Sequence, residues 1–393
     1  MSAHVIHSAR LVGEGRTTHN AWVLFDGEVV AATGVGDDWR ATVAGDPSAV
    51  VTDADGGWLT PGFIDLHGHG GGGAAFDDGA DAIRTAMALH QRHGTTRFVV
   101  SLVTATVPQL AERVRGVAAL AAHDPRVLGS HLEGPFLDVA HKGAHDPALL
   151  RSATPADIEL LLEAAGGTLR QITLAPELPG GLAALRAFAA AGVAVAVGHT
   201  GADYDQTRAA FDAGATILTH AFNGMDGIHH RAPGPVAAAT RTAGVTVEVI
   251  NDGIHVHPEV VRMAFASAPG RVALITDAMA AAGESDGDYL LGSLRVQVRD
   301  GVARLAEGGA IAGSTLTQDA ALRRAVQDVG VTVEEAVRAL TETPAAAIGR
   351  GSDLGRLAPG YAADAVLLDD DFRVLQVWTA GVPVARWVPS RGE

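Results

Sequence analysis

The 393-residue chain has no cysteine and a single lysine, Lys142. The first absence excludes disulfides, thiolate zinc sites and cysteine nucleophiles, and it fits a reducing compartment. The second leaves no Walker A sequence and confines any Schiff-base chemistry to one residue in the loop-like "DVAHKGAHDP". No apolar run is long enough to span a bilayer, and the opening "MSAHVIHSARLVGEG" lacks the hydrophobic core of a signal peptide, so a cytoplasmic protein is expected. Positive charge is scarce as well. A net charge of -16 argues against nucleic acid or a membrane surface as partner, while allowing a local basic pocket for a small anion.

What the chain has is a 47% hydrophobic content, enough for one large domain and a small one. Short apolar, β-rich runs alternate with alanine-rich helical stretches. Eight candidate strands follow one another: "GFIDLH", "TTRFVVSLVT", "RVLGSHLEG", "RQITLAPE", "GVAVAVGHT", "ATILTHAFN", "VTVEVINDGIH" and "RVALITDAM". Helices are expected between them at Asp81 to His93, Val107 to Ala122, Pro155 to Ala165, Gly181 to Ala191 and Tyr204 to Ala213. This alternation defines an α/β chain and predicts a (β/α)8 TIM-type barrel, with its active site at the C-terminal ends of the strands.

Polar residues gather at those ends. In "PGFIDLHGHGGGG" residues i and i+2 of a strand point to one face, so His67 and His69 converge, either as a metal pair or as a polar strand end before a glycine loop. Glu133 closes the third strand, His199 the fifth, His220 the sixth and Asp277 the eighth; His255 follows the seventh. Imidazoles and carboxylates converging on a barrel mouth describe a catalytic zinc or iron site with one open position for water. Asp277 also fits the N-cap of a helix beginning near Ala278.

The segments "PGFIDLHGHG", "HLEGPF", "GHT", "THAFNGM", "DGIHVHP" and "TDAM" resemble the amidohydrolase superfamily and, within it, the N-acetylglucosamine-6-phosphate deacetylase family. The resemblance covers nearly the whole chain. "GGWLTPGFIDLH" enters the barrel and "GRLAPGYAADAVLLD" leaves it, as in enzymes whose termini build a small β-sandwich beside the barrel. It implies a sandwich domain from residues 1–57 and 352–393 and a catalytic barrel over 58–351. Glu133, His199 and His220 are implied as ligands of the main metal. Many superfamily members bridge two metals through a carboxylated lysine on the fourth strand. Here that strand reads "QITLAPE", and the resemblance to the deacetylase family implies that Glu133 supplies the carboxylate. Some members of the family lack the strand-one histidines and hold one metal; His67 and His69 permit a second, giving one or two ions of zinc or iron per chain.

By the same resemblance Asp277 is the general base and then acid. A metal lowers the pKa of water from about 15.7 to about 7, and a nearby carboxylate can take the proton and pass it to the departing amine. His145 is implied to contact the substrate and polarise the amide carbonyl. Asn223, the Gly224 amide, Arg231 and His255 are assigned to the sugar phosphate, and a charge-assisted hydrogen bond from a guanidinium contributes about 1.5 to 3 kcal/mol. The family also implies a homodimer in which Arg231 reaches the neighbouring subunit's site. The expected partner is a small amino-sugar phosphate, of the gluco or galacto series. An unphosphorylated amide or cyclic imide leaves Arg231 and His255 without a purpose, and an inactive scaffold would not be expected to keep every ligand. His131 shares a face with Glu133 and is expected to support the ligands, whereas His4, His7, His19, His90, His93, His123, His141, His229, His230 and His257 read as surface or packing residues. The stretch from Glu284 to Ala312 alternates like a hairpin bordering the site.

Overall fold

The computed structural model describes residues 3–384. Eight parallel strands form the central sheet: β1 (Phe63–Gly68), β2 (Thr95–Val103), β3 (Val127–Glu133), β4 (Leu169–Leu174), β5 (Ala194–Val197), β6 (Ala215–Leu218), β7 (Thr246–Ile250) and β8 (Val272–Ile275). They pair in sequence order. Parallel strands are covered on both faces, and this explains why they read as apolar runs without alternation: every residue of β2, β3 and β7 is buried.

The seam between β8 and β1 is closed by residues at the strand ends. Thr276 Oγ1 donates to Asp65 Oδ2 at 2.6 Å, Asp277 N–H to the His67 carbonyl at 2.8 Å, and His69 N–H to the Ala278 carbonyl at 2.7 Å. The (β/α)8 architecture expected from the sequence is therefore present, and its last stitches lie beside the polar cluster.

Helices pack outside with the spacing of amphipathic surfaces. Val107–Ala121 buries Val107, Leu110, Ala111, Val114 and Val117. Pro155–Ala165 begins with a reciprocal cap between Thr154 and Asp157, carries proline in its first turn and ends at left-handed Gly166. The five expected helices are present with ends moved by at most one residue; Gly234–Arg241, Pro258–Ser267, Gln318–Arg324, Val333–Leu340 and Glu342–Ala347 were not anticipated.

A second, eight-stranded sheet draws on both termini. His4–Gly13 lies between Arg16–Asp26 and Trp58–Pro61, and the latter pairs with Ala365–Leu368. Trp58–Pro61 thus belongs to this sheet, and the chain passes through Gly62 directly into β1. The two bodies are joined by a buried, two-pronged ion pair from β2: Arg97 Nε and Nη2 lie 2.5 and 3.1 Å from the Asp364 carboxylate. The expected C-terminal segment extends to 393, and its residues 385–393 lie outside those described.

Two local expectations are corrected. The excursion after β8 is a three-stranded antiparallel meander, Gly287–Leu291, Leu294–Arg299 and Val302–Leu305, instead of a hairpin. Asp277 caps no helix: the chain turns back after it, and among the described residues the next helix begins at Gln318.

Candidate metal-dependent active site

β5, β6 and β8 stop two residues short of His199, His220 and Asp277. All three of those residues have left-handed backbones, with φ of 47°, 23° and 48°. For non-glycine residues such backbones cost about 1 to 3 kcal/mol each and persist where the surroundings over-determine them, as at functional sites. Here the three side chains face Glu133, the last residue of β3.

Glu133 is the hub. Its Oε1 lies 3.2 Å from His199 Nε2, 3.0 Å from His220 Nε2 and 3.3 Å from His67 Nε2; its Oε2 lies 3.1 Å from His69 Nε2 and 3.5 Å from His145 Nε2. The Nε2 atoms of His199 and His220 are 3.0 Å apart, and those of His67 and His69 3.2 Å apart. Asp277 Oδ1 stands 3.3 Å from His69 Nε2 and 3.6 Å from His67 Nε2.

These spacings suit a cation. Ligands held about 2.0–2.2 Å from a zinc-sized ion are themselves separated by about 3.3 Å. Two overlapping groups of donors lie within 4.8 Å of one another, His67 with His69 and Glu133, and Glu133 with His145 and His199. His199, His220 and Glu133 converge as tightly, with all three separations between 3.0 and 3.2 Å. The site is a buried array of imidazoles and carboxylates with no lysine among its members, and Glu133 is common to both groups.

The electrostatics follow from burial set against pairing. Burial opposes charge on His67, yet Glu133, Glu248 and Asp277 hold its pKa well above the usual value; His69, likewise buried, is pushed up to about 9 by Asp277 and Glu133. Burial would raise Glu133, but the charge of His67 and the contacts with His145 and His199 keep it well below the carboxylate range. Asp277 is held at about 2 by His69 and His67 against the same burial, so its carboxylate is ionised near neutral pH. His145 is pressed down to about 4 by burial and by His199, which leaves it neutral. The carboxylates thus demand positive charge at the centre, which a divalent cation supplies without protonating the imidazoles.

Supporting residues complete the arrangement. His131 cannot serve as a ligand: Ser101 Oγ lies 2.9 Å from its Nδ1 and Thr173 Oγ1 2.8 Å from its Nε2. Its ring instead stands edge-on to His67 at 4.6 Å. Glu248, fully buried on β7, accepts from Gln171 Nε2 at 2.8 Å and approaches His67 Nδ1 at 3.4 Å. Sequence reasoning missed it; the available signal was a lone acid inside the apolar run "VTVEVI". Asp252, also missed, accepts from His255 Nδ1 at 2.7 Å and raises its pKa against the effect of burial, favouring an imidazolium.

A cavity of about 230 Å³ opens above this array and is lined by His69, Glu133, His145, His199, His220 and Asp277. Its outer wall brings in Asn223, Gly224 and His255, and the meander contributes Leu291, so this excursion borders the site as expected. Arg231 is the one expected residue not brought here: it is exposed, with Nη1 2.7 Å from His230 Nε2. Two histidines assigned to packing have more definite roles. His257 Nδ1 accepts from Glu259 N–H and caps Pro258–Ser267, and the His141 carbonyl lies 2.9 Å from His199 Nδ1.

A (β/α)8 barrel with histidines and a central carboxylate at its C-terminal mouth defines a class of hydrolase-type metal centres. The profile described as Amidohydrolase family matches residues 58–384, and the chain belongs to that family. It is similar to N-acetylgalactosamine-6-phosphate deacetylase of Escherichia coli O157:H7, 40% identical with 96% of this chain and 98% of the relative covered. N-acetylglucosamine-6-phosphate deacetylase of Vibrio furnissii is 38% identical over 82% of each chain. Among solved structures, the N-acetyl-D-glucosamine-6-phosphate deacetylase of Mycobacterium smegmatis in complex with N-acetyl-D-glucosamine-6-phosphate superimposes with a TM-score of 0.91 at 41% identity, covering 98% of this chain and 99% of that one.

Proposed function

We propose that the chain hydrolyses the N-acetyl amide of N-acetylglucosamine 6-phosphate to glucosamine 6-phosphate and acetate. The observation that carries this reading is the placement of Asp277, ionised and facing the Glu133–histidine array, in a cavity whose outer wall holds His255 and Asn223. Relatives named for this activity support the substrate class.

Glu133, His199 and His220 would hold the main divalent metal, zinc or iron, and His67 and His69 would offer a second position. A metal bound there supplies Lewis acidity and a water nucleophile near neutral pH. Asp277 would accept a proton from the attacking water and deliver it to the amine as the amide C–N bond breaks, because an amine leaves poorly unless protonated. Neutral His145 donates a hydrogen bond to the acetyl carbonyl. His255, whose pKa Asp252 raises, joins Asn223 and the Gly224 amide in binding the phosphate. Arg231 of a second copy completes that subsite in a homodimer. The barrel, entered at Phe63, carries the chemistry, and the sheet built from both termini, which includes Trp58–Pro61, supports it. No helix among the described residues is long and apolar enough to cross a membrane, in keeping with a cytoplasmic enzyme.

The galacto epimer is the second reading, favoured by the 40% identity to a protein named for it. Acetate release from the gluco and galacto N-acetyl sugars, each with and without the 6-phosphate, tests both. The first reading requires the highest kcat/KM on the phosphorylated gluco sugar; a higher value on the galacto epimer selects the second, and indifference to the phosphate overturns both.

A further inference from the structure

We infer that His141 is a positioning residue that keeps His199 oriented for metal binding, acting through its main-chain carbonyl while its ring fastens the loop that carries it. The inference rests on the proposed role of His199 as a ligand.

The segment 138–141, the short turn Val139–His141 with Asp138 before it, grips His199 at two points. Asp138 N–H donates to the His199 carbonyl at 2.9 Å, and His199 Nδ1 lies 2.9 Å from the His141 carbonyl. A carbonyl can only accept, so this contact places the His199 proton on Nδ1 and leaves the Nε2 lone pair aimed at Glu133 and His220. The ring has little room to turn elsewhere. A Cβ on Gly143 would stand 3.0 Å from His199 Cε1, and one on Gly224 would stand 2.8 Å from Nδ1.

What holds the carbonyl in place is the His141 side chain. Its Nδ1 lies 2.6 Å from Asp138 Oδ2, and its Nε2 lies 3.4 Å from Asp226 Oδ1 on the loop beyond β6. The loop after β3 is thereby tied to the loop that also carries Asn223 and Gly224. The Asp138 contact is the shorter and more enclosed of the two; Asp226 is largely exposed. Removing the His141 ring frees the carbonyl to drift and lets the His199 imidazole change tautomer. Loss of such an outer partner typically weakens metal binding by about 10- to 100-fold.

The test measures metal release from the holoenzyme by chelator competition, together with the unfolding midpoint of the metal-free protein. His141→Ala should release the main metal about tenfold faster and leave the metal-free midpoint unchanged. His141→Gln, whose amide can still donate to one carboxylate, should recover part of the loss. Asp226→Ala, at an exposed position that does not endanger folding, should show a smaller loss in the same direction. His199→Ala serves as the reference. If it has lost the metal while His141→Ala and Asp226→Ala release it at the wild-type rate, the positioning role is overturned. If the faster release only tracks a lowered metal-free midpoint, with no recovery in His141→Gln, the residue is merely structural and the role is again overturned. If His199→Ala keeps its metal, the ligand reading fails, a result distinct from the other two.

Discussion

His199 Nε2 and His220 Nε2 lie 3.0 Å apart, each carried by a left-handed residue two positions beyond the end of a neighbouring strand. That closeness comes from parallel neighbours β5 and β6 ending at the same level with the same turn out of the sheet. With Glu133 Oε1 they form a triangle of potential donor atoms.

His199→Ala is expected to abolish both tightly bound metal and turnover, because it removes one corner of that triangle. Asp277→Asn should keep the metal and lower kcat by about 10²- to 10⁴-fold, the usual range for a general acid–base group. Elemental analysis of folded protein beside steady-state rates checks both. Full metal content in His199→Ala would discard the ligand assignment.

The pair His67 and His69 should support a second ion. Up to two metals per chain are expected under saturating zinc or iron, and replacing both histidines by alanine should leave one. A wild-type stoichiometry that never passes one would return the pair to a supporting role.

Gly224 has a φ of 60°, and a Cβ there would meet His199 Nδ1 at 2.8 Å. Gly224→Ala should therefore displace the ring and destabilise the chain by about 1 to 3 kcal/mol, combining left-handed strain with overpacking. Metal affinity should fall with it. Urea unfolding and metal titration of the variant that matched wild type would contradict the close approach.

Arg231 is exposed and does not line the cavity of its own chain, so its proposed action in a partner's site can be tested by complementation. Arg231→Ala and Asp277→Asn proteins, refolded together, should form mixed dimers with one intact site and regain part of the activity at low substrate. Mixed dimers verified by mass that remain at or below the parental average would exclude the shared site.

Acid stability offers a test away from the metal. Asp319 is buried, which would raise its pKa, but His93 and Arg323 hold it at about 2, below the ordinary 3.8. The folded state therefore favours the ionised form, and the resulting stability, about 2 kcal/mol, is present above pH ~4 and lost as the pH falls toward 2. Asp319→Asn removes this charge-dependent part. The difference between wild type and variant in urea unfolding should be largest above pH ~4 and shrink as pH approaches 2; a difference that grows on acidification would reverse the sign.

Much of the architecture was legible in the sequence because a parallel barrel buries its strands on both faces, so each appears as an apolar run bounded by helix signals. The strand-end residues Glu133, His199, His220 and Asp277 stood out for the same reason, as polar groups closing apolar runs. The sequence by itself therefore determined the alternation of elements, the candidate ligands and the exclusion of a lysine bridge on β4. Only the tertiary structure decided how those ligands face one another. Glu248 reaches Gln171 and His67 from 77 and 181 positions away, and no local pattern encodes a contact of that span. The left-handed turns at His199, His220 and Asp277, and the grip of the 138–141 turn on His199, are likewise products of packing: surrounding contacts impose backbones that these residues would not choose alone.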